Sequence, residues 1–144
     1  MVIRFFAPGV PQGQGNHRVS RAGRVYETNS RLSAWRDTVA TVARMARLKH
    51  RAEPLDEPVE VAVVFRMPRP KRPKFDEPAV PPDLDKLQRA LGDALTTSGV
   101  IADDSRIVRW HPEKRYADRD HPAGATVAVW PTSQRQNPRE VIHG

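Results

Sequence analysis

The segment from residue 68 to residue 82 most constrains the fold, because six of its residues are prolines. Proline lacks a backbone N–H donor and clashes with a preceding helical turn, so neither a helix nor a central strand tolerates this density. We therefore expect a long loop, of a length that is usually either functional or disordered. The loop is also basic, since it carries Arg69, Lys71, Arg72 and Lys74.

Regular structure is predicted on both sides of this loop. Residues 59–67 alternate between two faces, with Val59, Val61, Val63 and Phe65 on one of them, which is typical of a strand. Leucines at 84, 87, 91 and 95 make one apolar stripe at helical spacing, which predicts a helix over 83–97 that Gly99 ends.

The remaining patterns are weaker. Apolar residues at three- and four-residue steps predict a helix over 32–49, and Trp35, Trp110 and Trp130 are expected in the core. Short apolar runs predict strands over 2–6, 24–26, 107–110 (extending toward 116) and 126–130, whereas 9–23 has the composition of a basic loop. We expect one domain over 1–130 and a flexible tail over 131–144.

Composition narrows the function. The net charge of +7 and a pI near 10.5 are typical of nucleic-acid binders. The absence of cysteine excludes zinc ribbons, thiol catalysis and disulfides. The five histidines share no ligand spacing and are interpreted as non-catalytic. No apolar run is long enough for a membrane span or a signal peptide, so we expect a cytoplasmic protein of a bacterium or a phage-infected cell.

One acidic island interrupts this basic chain. Residues 83–104 hold five aspartates and only two bases. Asp83 precedes the predicted helix, Asp85 lies in its first turn, and the turn after Gly99 can bring Asp103 and Asp104 alongside. Carboxylates held together repel one another, and a bound hard cation such as Mg²⁺ relieves that repulsion. The island therefore predicts a metal site suited to phosphodiester hydrolysis.

Ordinary structural roles compete with this interpretation. Asp83 alone is a typical N-cap, and Asp103-Asp104 before Ser105 is typical of a turn. Asp93 is interpreted as a solvated helix residue paired with Arg89, outside the site. The aspartates taken together are harder to explain as capping than any of them alone.

The island resembles the RusA family of Holliday-junction resolvases. The family pattern is roughly D-x-D-N-x-x-K, a helix containing D-A-L, then G and D-D. This chain reads Asp83-Leu84-Asp85-Lys86-Leu87-Gln88-Arg89, Asp93-Ala94-Leu95, Gly99 and Asp103-Asp104. A Pro-Gln-Gly loop near the N-terminus and a tryptophan in the first helix are also similar to phage-borne members, and the match in outline covers residues 2 to about 130.

The resemblance implies a small α/β domain with a mixed sheet and two main helices, and a homodimer. It also implies symmetrical nicking of four-way junctions with Mg²⁺ or Mn²⁺. The family's essential aspartates correspond to Asp83, Asp85 and Asp104, with a weaker claim for Asp103.

Two positions depart from the family. Lys86 stands where the family has Asn, and Arg89 stands where it has its catalytic Lys. Arginine is always protonated and cannot donate a proton at ordinary pH. Either Arg89 acts only electrostatically, or Lys86 takes part of the role, or the enzyme is altered.

The resulting hypothesis has the three aspartates holding one or two metal ions that activate water, while Arg89 stabilises the added negative charge. The residues expected to bind DNA are basic: Arg18, Arg21, Arg24, Arg69, Lys71, Arg72, Lys74 and Lys86. Two alternatives stay open. One is a metal-dependent nuclease for other branched or duplex DNA, and the other is a non-catalytic DNA-binding protein.

Overall fold

The computed structural model describes residues 1–15, 18–19, 25–26 and 29–143, and of residues 18–19, 25–26 and 29 only the backbone. The strands are β1 (Ile3–Pro8), β2 (Arg18–Val19), β3 (Val25–Tyr26), β4 (Val59–Met67), β5 (Ile107–Tyr116) and β6 (Gly124–Pro131). The helices are α1 (Asn29–Lys49), α2 (Leu84–Ser98), α3 (Pro138–His143) and a 3₁₀ helix over Asp104–Arg106.

A mixed sheet organises the described part of the chain. Its strand order is β1-β6-β4-β5, with β4 and β5 parallel and the other two pairs antiparallel. Parallel neighbours need a crossover connection, and here the proline-rich loop and α2 supply it between β4 and β5. The prediction of a small α/β domain with a mixed sheet is confirmed.

The main core lies between one face of the sheet and the two long helices. Val61, Val63 and Phe65 of β4 are buried there, as the alternating pattern predicted. Each such side chain contributes about 1.5–3 kcal/mol on burial. The helices bury Trp35, Val39, Leu87, Leu91 and Leu95 against them.

The other face of the sheet carries a smaller cluster. Ala62, Ala128 and Trp130 pack there with Val141 of α3, which is buried. The segment expected to be a flexible tail, residues 131–144, includes this short helix over 138–143. One buried valine and its neighbour Ile142 hold this short helix, and two apolar residues are too few to give a detectable period.

The proline-rich loop over 68–82 contains no helix or strand, as predicted. At the end of this loop, Nζ of Lys114 on β5 donates to the carbonyls of Val80 (2.8 Å) and Pro82 (2.9 Å). This contact fixes the chain where it enters α2. Within the described ranges, no helix is long and apolar enough to cross a membrane.

Candidate active site

Asp83 occupies the N-cap position of α2, but its carboxylate does not cap the helix. Its backbone is extended (φ −66°, ψ 146°), and its side chain makes no capping hydrogen bond. Nζ of Lys86 lies 3.7 Å from its Oδ2, and the Asp83 side chain is 59% exposed. Because capping does not use this carboxylate, its oxygens face solvent and can accept a ligand.

The segment that follows α2 turns back toward that helix. Gly99 ends α2 in the left-handed conformation (φ 79°). The next residues are tied to Leu55, whose N–H donates to the carbonyl of Val100 (3.0 Å) and whose carbonyl accepts from Ala102 (2.9 Å). The segment that leads to Asp104 therefore has a fixed course.

Asp104 arrives beside Gly92. A β-carbon at Gly92 would lie 3.8 Å from Cβ of Asp104. Asp85, Arg89 and Gly92 are spaced i, i+4 and i+7, so they share one face of α2. Asp104 thus joins the face that carries Asp85, with about two helical turns (~10 Å) between Asp85 and Gly92. Both aspartates are exposed, and neither forms an ion pair or hydrogen bond with a described side chain.

Asp103 has a local structural role. It caps the 3₁₀ helix, because its Oδ2 accepts from the backbone N–H of Ser105 (2.9 Å) and from the Ser105 hydroxyl. The hydroxyl bond, followed by the backbone bond, lowers the pKa of Asp103 below its ordinary value. The structure therefore separates two adjacent aspartates: the turn uses Asp103, and Asp104 stays available.

Arg89 is exposed on the aspartate face of α2 and has no hydrogen bond or ion pair within the described part of the chain. The expected pairing of Asp93 with Arg89 is wrong. Asp93 instead accepts a hydrogen bond from Gln14 and lies 3.7 Å from Nη1 of Arg36 on α1. Arg36 takes the charge of Asp93 because α1 packs directly against α2.

The predicted basic loop borders the site. Arg69, Lys71 and Arg72 are exposed, and Nζ of Lys74 lies 5.5 Å from the ring centroid of Phe75. A groove of about 540 Å³ runs between this loop and residues 10–13, and its wall includes the two prolines that precede Asp83. Of the other predicted DNA contacts, Arg21, Arg24 and the side chain of Arg18 lie outside the described residues.

A family profile for endodeoxyribonuclease RusA matches residues 8–129. The chain belongs to the RusA family. Members of this family are endodeoxyribonucleases, hydrolases that act on Holliday junctions in recombination. No curated protein matches the chain significantly. The family resemblance drawn from the aspartate pattern is confirmed.

The donor chemistry of the candidate site fits a hard cation, which prefers carboxylate oxygens. Among the described residues, however, no group of three or more histidine, cysteine, aspartate or glutamate side chains is arranged to hold a metal. Mg²⁺ commonly uses one or two carboxylates and completes its shell with waters and substrate phosphate oxygens. The arrangement therefore suits an ion shared with DNA better than a closed protein cage.

Two residues near the RusA site were missed by the sequence reasoning. Gln14 and Arg36 contact Asp93, and Gln14 also contacts the backbone of α2. The Pro-Gln-Gly signature marked this loop without indicating which helix it would contact. Long-range polar contacts such as these leave no local period in a sequence.

Proposed function

We propose that this RusA-family protein resolves four-way DNA junctions by Mg²⁺-dependent hydrolysis, with Asp83, Asp85 and Asp104 as the metal ligands. The observation that carries the proposal is the packing of Asp104 against Gly92, on the helix face of Asp85 and Arg89. Asp104, which is distant in sequence, thereby joins the exposed surface of α2 that carries Asp85 and Arg89. This combination suits a reaction that gains negative charge at a phosphate.

The protein side of the mechanism follows from these positions. When bound, Mg²⁺ supplies positive charge at the phosphate and lowers the pKa of water, and Mn²⁺ can substitute for it. The aspartate carboxylates would hold the ion on the face of α2 that carries Asp85 and Arg89. Arg89 stabilises the charge that develops on the phosphate oxygens, and because it stays protonated it does so electrostatically.

Asp83 and Lys86 have linked roles in this proposal. Nζ of Lys86 lies 3.7 Å from Oδ2 of Asp83, and this pair is partly exposed. A cation there neutralises part of the carboxylate charge in the free protein. On DNA binding, Lys86 can turn toward a backbone phosphate and leave Asp83 to the metal ion.

DNA is held by the basic loop on one side of the site. Arg69, Lys71, Arg72 and Lys74 are exposed there, and phosphate neutralisation by such side chains supplies most sequence-independent affinity. We assign the same function to three basic residues of the N-terminal segment, Arg18, Arg21 and Arg24. The positive net charge steers the substrate toward the acidic site.

A homodimer completes the proposal. A four-way junction needs two opposed cuts, and a twofold axis relating two copies places two identical sites on the two strands. The paired nicks are then symmetrical, because both sites come from the same sequence.

The test is cleavage of a synthetic four-way junction beside a flap and a plain duplex, each with Mg²⁺ and with EDTA. We expect cleavage of the junction alone, only with the metal. Asp85→Asn should lower the rate by at least about 100-fold, since a charged group at the reacting phosphate is lost. Binding of the junction should persist, measured by gel shift.

Asp37→Asn is the matched control, because Asp37 is an exposed aspartate on α1 away from the site. It should cut at the parental rate. Equal cleavage of flap or duplex would favour a nuclease of broader substrate range. Binding without any metal-dependent cleavage would indicate a non-catalytic DNA-binding protein and overturn the proposal.

A further inference from the structure

The amide side chain of Gln14 joins the two long helices. Its Nε2 donates to Oδ2 of Asp93 (2.5 Å), and its Oε1 accepts from Nη1 of Arg36 (3.1 Å). Nη1 of Arg36 lies 3.7 Å from the same carboxylate. The amide nitrogen thus meets a carboxylate, and the amide oxygen meets a guanidinium. Because that guanidinium also lies near the same carboxylate, the three residues form one closed network.

The backbone of Gln14 is held by the same helix. Its N–H donates to the carbonyl of Lys86 (3.0 Å). Lys86 and Asp93 are seven residues apart on α2, which is about two turns. Gln14 therefore spans the side of the helix next to the aspartate face and attaches residues 9–15 along it.

Gly15, the next residue, lies against Arg89. A β-carbon at Gly15 would be 2.9 Å from Nη1 of Arg89, and the φ of +105° at Gly15 disfavours any other residue. Arg89 has no polar partner among the described residues. Residue 15 therefore lies close enough to the Arg89 guanidinium to limit where that group can go on this side.

We propose that Asp93 is a positioning residue, which acts with Arg36 through Gln14 to hold residues 9–15 on α2 and so place Arg89 beside the reacting phosphate. The inference rests on the proposed nuclease function, because it assigns Arg89 a position relative to DNA. It gives Asp93 a role although no DNA or metal contact is assigned to it.

The test is a double-mutant cycle between Asp93 and Arg89, read by single-turnover cleavage of a junction. Asp93→Ala should lower the rate about ten- to hundredfold, because misplacement of a charge-stabilising group by about 1 Å has effects of this size. In an Arg89→Ala background the same change should cost less than about twofold, since no positioned guanidinium is left. A purely structural role would give the same loss in both backgrounds.

Three further variants test which contacts of the network matter for the cleavage rate. Asp93→Asn keeps an oxygen for Gln14 and should lose less than Asp93→Ala. Arg36→Ala should resemble Asp93→Ala, because it removes the opposite end of the network. Asp37→Ala, the neighbouring aspartate on α1, should match the parent.

Amide hydrogen exchange of residues 9–15 tests the network independently of DNA cleavage. Asp93→Ala should lower their protection, whereas Arg89→Ala should leave it unchanged. If the parent cuts no junction, the proposed function fails, and exchange alone then decides whether Asp93 holds the segment. Unchanged exchange in Asp93→Ala, or equal rate losses in both Arg89 backgrounds, would overturn the inference.

Discussion

Two carboxylate regions on opposite sides of the sheet show opposite uses of negative charge. On β4, Glu60 is buried, and Nε2 of His111 (2.8 Å) and Nη1 of Arg109 (3.3 Å) contact its two oxygens. At α2, Asp85 and Asp104 are exposed and have no such partners among the described residues. The first charge is balanced within the protein, whereas the second has no partner among the described side chains.

The partners of Glu60 affect the pKa of its carboxyl group. Burial alone would raise its pKa, but hydrogen bonds from His111 and Arg109 outweigh burial, so the pKa lies below its ordinary value. His111 also stacks on Trp130, with ring centroids 5.9 Å apart. A carboxylate with this many internal partners stabilises the fold. A carboxylate without them adds little to stability and is free for chemistry.

The most direct test of this difference is to neutralise an exposed aspartate at α2. Asp104→Asn should lower junction cleavage by at least about 100-fold, because it removes the charge of a carboxylate proposed to hold the metal ion. It should change the free energy of unfolding by less than about 0.5 kcal/mol, as expected for an exposed side chain. Cleavage rates and urea unfolding measure the two effects.

Asp103→Asn is the adjacent control for that variant. Its side-chain oxygen can still accept from Ser105, so the turn should persist. We expect a loss of cleavage of about tenfold, at the low end of the range for groups that support a metal ligand. Equal losses at positions 103 and 104 would show that the two aspartates are not separated as their geometry indicates.

The converse experiment neutralises the charge of Glu60, which has partners within the protein. Glu60→Gln should lower the free energy of unfolding by about 1–3 kcal/mol, since His111 and Arg109 lose a charged acceptor. Junction cleavage should stay within about twofold of the parent, because Glu60 lies on the other face of the sheet from α2. A large loss of cleavage with unchanged stability would contradict this assignment.

The smallest expected effect is the pH dependence of the Glu60 contribution. A carboxylate with a lowered pKa in the folded state stabilises the fold above the pKa of the unfolded chain. That stability disappears as the pH falls through the lower, folded-state pKa. The difference in unfolding free energy between the parent and Glu60→Gln should therefore be full at pH 7 and shrink below about pH 4.3. Urea unfolding at a series of pH values would show a constant difference if the pKa were not lowered.

Strong local patterns predicted most of the fold. The bounds of β4 agree with the prediction, and α2 is displaced by one residue at each end. The strand after the 3₁₀ helix takes the longer of the expected lengths and ends at Tyr116. In β4 and α2 the apolar residues recur at regular spacing, because one face of each packs into the main core. The short helix α3 has no such period, because only Val141 is buried.

The sequence likewise predicted some contacts of the candidate site and not others. The spacing of Asp85, Arg89 and the turn after Gly99 follows from helix geometry, so their common surface was predictable. The partner of Asp93 was not, because Gln14 and Arg36 reach it from other elements. Likewise, the sequence does not distinguish Asp103, which caps a turn in the folded protein, from Asp104, which does not.

The tie between Leu55 and the segment after α2 makes that segment a spacer of fixed length. An added or deleted residue between Gly99 and Asp103 would either break both backbone hydrogen bonds to Leu55 or rotate Asp104 away from Gly92. The loop over 68–82 has no comparable tie until its last residues, where Lys114 holds it. Length variation among engineered versions of this protein should therefore be tolerated before α2 and not after it.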